Sequence, residues 1–169
     1  MIVVLLVTNV NVGAYWIFRS GEWSETLDKE DFMGPSGFKL IDSVESGPKQ
    51  VTLTLSASSS IPKNTKLTVN VAMSVPDCPG WSKEPTLYIR RTTEEILSAG
   101  GEDLKIQGGT KYSKIKENKH KLFKIQFKSE RNPGWSITIP IQFKLEWKTS
   151  TLSPSSYNTK VSYTLTVKE

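Results

Sequence analysis

Residues 136–147 read SITIPIQFKLEW, and their reading decides the fold. Ile137, Ile139, Ile141, Phe143, Leu145 and Trp147 share one parity, while Ser136, Thr138, Pro140, Gln142, Lys144 and Glu146 share the other. In an extended chain, successive side chains point to opposite faces, so this is a strand with one apolar and one polar face. A helical period would scatter the same six apolar residues around the axis. A strand of this kind needs a second apolar layer to cover it. Pro140 brings no N–H to the ladder, which predicts a free edge beside this strand.

The same alternation recurs through the chain. In VTLTLSA (51–57), Val51, Leu53 and Leu55 form the apolar face, and in TKLTVNVAM (65–73) Leu67, Val69, Val71 and Met73 do so. KLFKIQFK (121–128) sets Phe123, Ile125 and Phe127 inward and Lys124, Gln126 and Lys128 outward. KVSYTLTV (160–167) alternates Val161, Tyr163, Leu165 and Val167 with Ser162, Thr164 and Thr166. GFKLIDSV (37–44) and TLYIRR (86–91) are further candidates, and Ser20–Gly37 reads as a long acidic connection. One short helix is expected: Thr92-Thr-Glu-Glu95 has the form of a capping box, and EEILSAGG runs from it to a double-glycine stop. About eight or nine strands with turn signals between them predict an all-β chain. The expected architecture is an antiparallel β-sandwich of jelly-roll or immunoglobulin-like type with an extended N-terminal strand.

Composition agrees with a single domain. The 169 residues are 37% hydrophobic and 23% charged, with Val, Ile, Ser, Thr and Lys prominent, a mixture that suits strands. The net charge of +5 is unevenly spread. Residues 1–50 hold four basic and seven acidic side chains, a balance of −3. Between Lys111 and Arg131 there are eight Lys or Arg against Glu117 and Glu130, a balance of +6. Such a basic segment attracts anionic polymers. Lys121, Lys124 and Lys128 are the candidate face for one, acidic polysaccharide or extracellular nucleic acid, bound without sequence preference. The phenylalanines between them belong to the core and leave only lysines outside.

Catalytic chemistry finds few actors. One cysteine, Cys78, excludes an intramolecular disulfide, and one histidine, His120, excludes a multi-histidine metal centre. A His–Cys nucleophilic pair has little to support it, and there is no Gly-rich phosphate loop. The acidic run Glu22, Glu25, Asp28, Glu30 and Asp31 lacks EF-hand spacing and reads as a solvated loop, with calcium as the alternative. Of the five tryptophans, Trp23, Trp81 and Trp135 lie in loop contexts, as buried anchors at sandwich ends or as sugar-stacking rings. Trp16 lies within an apolar run, and Trp147 on an apolar face. No catalytic residue, metal or cofactor is expected.

The chain opens on MIVVLLVTNVNV, twelve residues without charge. No Lys or Arg precedes Arg19, so the basic start of a secretion signal is missing. Asn9, Asn11 and Gly13 interrupt what would have to be a membrane helix of about 20 apolar residues. As a strand, its Ile2, Val4, Leu6, Thr8, Val10 and Val12 make one nearly wholly apolar face. Left uncovered, such a strand would aggregate. It either packs within its own sandwich or completes the sandwich of another copy, as a donor strand.

An uncharged N-terminal strand, the aromatic run GAYWIF (13–18), a sandwich body and a closing SYTLTVKE (162–169) together resemble the TasA-like biofilm matrix and archaeal bundling-pilus subunits. The resemblance is one of layout across the whole chain. It implies an extracellular, non-enzymatic filament subunit with residues 1–13 as donor strand and 14–169 as body. Its partners would be copies of itself joined head to tail, with no membrane span. The alternatives are a secreted β-sandwich module that binds polysaccharide or another anionic polymer, and a viral coat jelly roll.

Overall fold

The computed structural model describes residues 3–6, 10–26, 42–74, 85–93, 97–99, 103–147 and 157–169. Within them the chain is all-β and forms two sheets packed face to face. The strands are β1 Val3–Leu6, β2 Val10–Val12, β3 Tyr15–Ser20, β4 Ser43–Glu45, β5 Val51–Ala57, β6 Lys66–Met73 and β7 Thr86–Arg91. They continue with β8 Leu97–Ala99, β9 Leu104–Gln107, β10 Ser113–Lys114, β11 His120–Phe127, β12 Ser136–Glu146 and β13 Tyr157–Lys168. One sheet has the order β1-β13-β6-β11-β9, and the other β10-β7-β12-β5-β3-β2 with β4 and β8 also paired to β12. Apart from the parallel β1–β13 pair, every named pairing is antiparallel.

The alternation read in 136–147 is the spine of the larger sheet. Ile137, Ile139, Ile141 and Leu145 are wholly buried and Phe143 nearly so. Burying five such side chains stabilises the fold by roughly 7–15 kcal/mol before the entropy of ordering them is counted. They meet Leu67, Val69, Val71, Phe123, Ile125, Phe127, Val161 and Tyr163 of the smaller sheet in one continuous core. Trp135 closes one end, its ring edge-on to Phe127 at 4.8 Å.

Two sequence expectations are corrected. Residues 97–99 of the expected helix are instead strand β8, paired with Thr138–Ser136 of β12; local capping chemistry was outweighed by an open ladder on β12. The second concerns Pro140, because β12 has neighbours on both sides. β5 and β4 line one side end to end, and β7 and β8 line the other. Pro140 O accepts from Thr92 N, so the proline's missing N–H faces the β7/β8 side. It falls where β7 ends, opposite Ile141, and before β8 begins, opposite Thr138. The lost donor therefore marks a break in one neighbouring strand, not a free sheet edge.

A second break lies across β12. Ser46–Gln50 bulge out between β4 and β5, and Ser46 fills the gap: its N–H donates to Phe143 O, and its Oγ accepts from Phe143 N–H.

Candidate functional site

Three features on the outside of the sandwich carry chemistry. The first is the N-terminal strap. β1 pairs in parallel with β13 in the register Val3↔Tyr157 to Leu6↔Lys160, at the edge of the smaller sheet. β2 then pairs with β3, Val10↔Ile17 to Val12↔Tyr15, at the edge of the larger one. The strap thus runs from one sheet to the other along the same side of the sandwich. Gly13 and Ala14 turn the β2–β3 hairpin; Gly13 has φ +61°, and a side chain there would meet nothing. Glycine with positive φ at the first turn position suits a tight two-residue hairpin. Ile2 and Thr8 of the expected donor face lie outside the described residues; Val4, Leu6, Val10 and Val12 lie in β1 and β2.

The second feature is the outer face of the smaller sheet. Its cross-strand rows follow from the registers. Lys168, Lys66, Gln126 and Lys105 stand side by side across four strands, with Lys168 directly opposite Lys66. The next row is Thr166, Thr68, Lys124 and Gln107, and the third is Thr164, Asn70 and Lys121. Asn70 Nδ2 donates to Thr166 Oγ1 at 3.2 Å, tying the rows together. Lys160 extends the face along β13. Strands β6, β9, β11 and β13 contain no Asp or Glu.

Of the three lysines expected here, Lys124 is central. Lys121 reaches the face through a β-bulge: strict alternation would turn it inward with Phe123. The register shift between Lys121 and Phe123 instead sends Leu122 and Phe123 both into the core and leaves Lys121 opposite Asn70. Lys128 lies at the margin, where its N–H donates to Asp103 O. Lys66, Lys105, Lys160 and Lys168 are far apart in sequence and were not foreseen; their outward parity in alternating strands was the available signal.

The third feature is on the opposite sheet, where the two breaks beside β12 meet. Arg90 and Gln142 are cross-strand partners. Gln142 Nε2 donates to Ser46 O at 2.8 Å and to Glu45 Oε2 at 3.3 Å. The Arg90 guanidinium lies 4.5 Å from the centre of the Tyr112 ring, a cation–π contact. Burial pushes the Tyr112 hydroxyl well above its ordinary range, and Glu45 adds to this while Arg90 opposes it. A pocket of about 170 Å³ opens beside this cluster, lined by Pro48, Arg90, Arg91, Thr92, Thr93, Thr110 and Gln142. Arg91 is almost buried, donates from Nε to Gly108 O at 2.6 Å, and has its basicity lowered by desolvation.

The remaining candidates disperse. Trp23 and Trp135 are buried anchors, whereas Trp16, within its apolar run, is partly buried on the outer side of β3 with the exposed Phe18. His120 begins β11 and its Nδ1 lies 3.4 Å from Asn118 O. Cys78, Trp81, Asp28, Glu30 and Asp31 lie outside the described residues. Among the described residues no three His, Cys, Asp or Glu side chains group as metal ligands, and no helix is long and apolar enough to cross a membrane. Glu22 pairs with Arg19 at 3.7 Å. No family model, curated protein or solved structure matches the chain.

Proposed function

We propose that the chain is a non-catalytic structural subunit that assembles head to tail into an extracellular filament, residues 1–12 of each copy taking the strap position on the next. The observation that supports this reading is the placing of β1 and β2, each at the edge of a sheet and each held by one short pairing. An exchanged strap keeps every contact that the closed chain makes, so exchange costs little beyond association entropy. Opening the two-residue turn at Gly13–Ala14 is enough to release β2 from β3. Because one copy's strap enters another copy's edge, the contact is heterologous and propagates instead of closing. The sandwich supplies a rigid body between the joints.

The register supplies the test. Leu5 of β1 stands opposite Thr159 of β13. A Leu5→Cys, Thr159→Cys chain, with Cys78→Ser to remove the native thiol, is oxidised over a range of concentrations. A ladder of disulfide-linked oligomers on a denaturing gel, matched by fibres in electron micrographs, is the expected result. Crosslinking confined to single chains at every concentration overturns strand exchange.

A further inference from the structure

We infer that the outer face of the β13-β6-β11-β9 sheet is a binding surface for an acidic polysaccharide. The inference is independent of strand exchange, since a single closed chain carries the same face.

Its charge is one-sided. Lys66, Lys105, Lys121, Lys124, Lys160 and Lys168 share the face, and no carboxylate lies within its strands. Lys66 is directly opposite Lys168, and like charges at such positions destabilise a sheet. On the other sheet Lys144 is balanced by carboxylates: its Nζ sits 2.5 Å from Glu146 Oε1 on β12, and Glu45 stands opposite it on β4. An anionic partner neutralises the repulsion that the smaller sheet leaves standing.

The chemistry selects among polyanions. All four arginines lie off this face: Arg19 on β3, Arg90 and Arg91 on β7, and Arg131 in a bridge to Ile61. Lysine offers a point charge, whereas the arginine fork is the better match to phosphate. From Asn158 onward in β13, and throughout β6, β9 and β11, the outward positions carry no aromatic ring on which a nucleic-acid base could stack. Among the described residues no helix stands on these rows to enter a duplex groove. Between the lysines stand Thr68, Thr164, Thr166, Asn70, Gln107, Gln126 and Ser162, hydroxyls and amides that exchange hydrogen bonds with a polyol. The four-strand row spans about 14 Å at the usual strand spacing, a flat strip along which an extended chain can lie.

The test uses the full-length chain and four immobilised polymers: a polyuronate, dextran sulfate, neutral dextran and double-stranded DNA. Retention on an acidic polysaccharide, uronate or sulfated, weakening as salt rises, is expected, with none on neutral dextran. Lys66→Gln/Lys124→Gln/Lys168→Gln should weaken binding on the order of tenfold or more. A control with equal charge loss elsewhere, Lys63→Gln/Lys111→Gln/Lys114→Gln, should weaken it far less. Thermal unfolding confirms that both variants remain folded. Equal losses in both variants would reduce the effect to net charge and overturn the assignment. Tighter retention on DNA than on either acidic polysaccharide at the same salt, or no retention on any polymer, overturns it as well.

Discussion

Arg90 and Gln142, separated by 52 positions in the chain, stand side by side on β7 and β12. Arg90 donates from both Nε, at 2.9 Å, and Nη2, at 2.6 Å, to the single Gln142 Oε1. Gln142 is nearly buried, and its amide nitrogen is spent on Ser46 O and Glu45. One glutamine thus bonds across both flanking strands of β12, bracing the sheet where each is interrupted.

Gln142→Leu keeps the volume but removes all of these bonds. It leaves Arg90 without its acceptor and Ser46 O without a donor, so a loss of about 1–3 kcal/mol is expected by chemical denaturation. Adding Arg90→Met should cost less than the sum of the single changes, because the orphaned guanidinium is then gone.

Trp23 is wholly buried and stacks on Phe143, with ring centroids 6.1 Å apart and planes 10° from parallel. Trp23→Ala should cost about 3–5 kcal/mol, the usual result of emptying a large aromatic site. Its indole N–H is buried without a partner. Trp23→Phe, which keeps a ring and removes that donor, should therefore cost much less, by the same denaturation assay.

Gly21 has φ +83°, and a side-chain carbon there would lie 2.0 Å from Gln50 O. The obstacle is backbone, which cannot swing aside. Gly21→Ala should lower the thermal midpoint, by more than the roughly 1 kcal/mol that positive φ alone costs an L-residue. Gly13→Ala meets no neighbour and should show only that smaller cost.

Alkaline stability should be limited by tyrosine. Burial raises the Tyr163 hydroxyl far above its ordinary value of 10.0, and Tyr15 is raised by burial and by Glu169. The unfolded chain ionises these groups near pH 10 while the fold holds them neutral. Their contribution is therefore complete below pH 10 and falls as pH rises beyond it, at up to about 1.4 kcal/mol per pH unit for Tyr163. Tyrosinate absorbance should appear together with unfolding. Tyr163→Phe should flatten the alkaline loss and cost little at neutral pH, since the hydroxyl has no partner.

Legibility followed the range of the interactions. The inward residues of β5, β6, β11, β12 and β13 were readable because alternation is local and each buried side chain declares its own face. The run that holds Trp16 and Phe18 left open which of its residues face outward, because an apolar run names no outside. The helix expected from Thr92 failed because its capping pattern is local, while the vacancy that Leu97–Ala99 fills on β12 is not. Pro140 announced a missing donor, but not whether the edge or a strand break would absorb it.

By itself the sequence determined the layers: a chain whose strands each present one apolar face must form two sheets and bury those faces against each other. It also determined the sign of the charge around β11. Only the tertiary structure decided which strands are neighbours. That choice set Lys66 against Lys168, gathered Lys105, Lys121, Lys124 and Lys160 onto the same face, and joined Arg90 to Gln142. Parity along a strand is fixed by backbone stereochemistry, but register between strands is settled by the packing of the whole core. The bulge that turns Lys121 outward makes the same point, because it appears only once Phe123 and Leu122 have both found places inside.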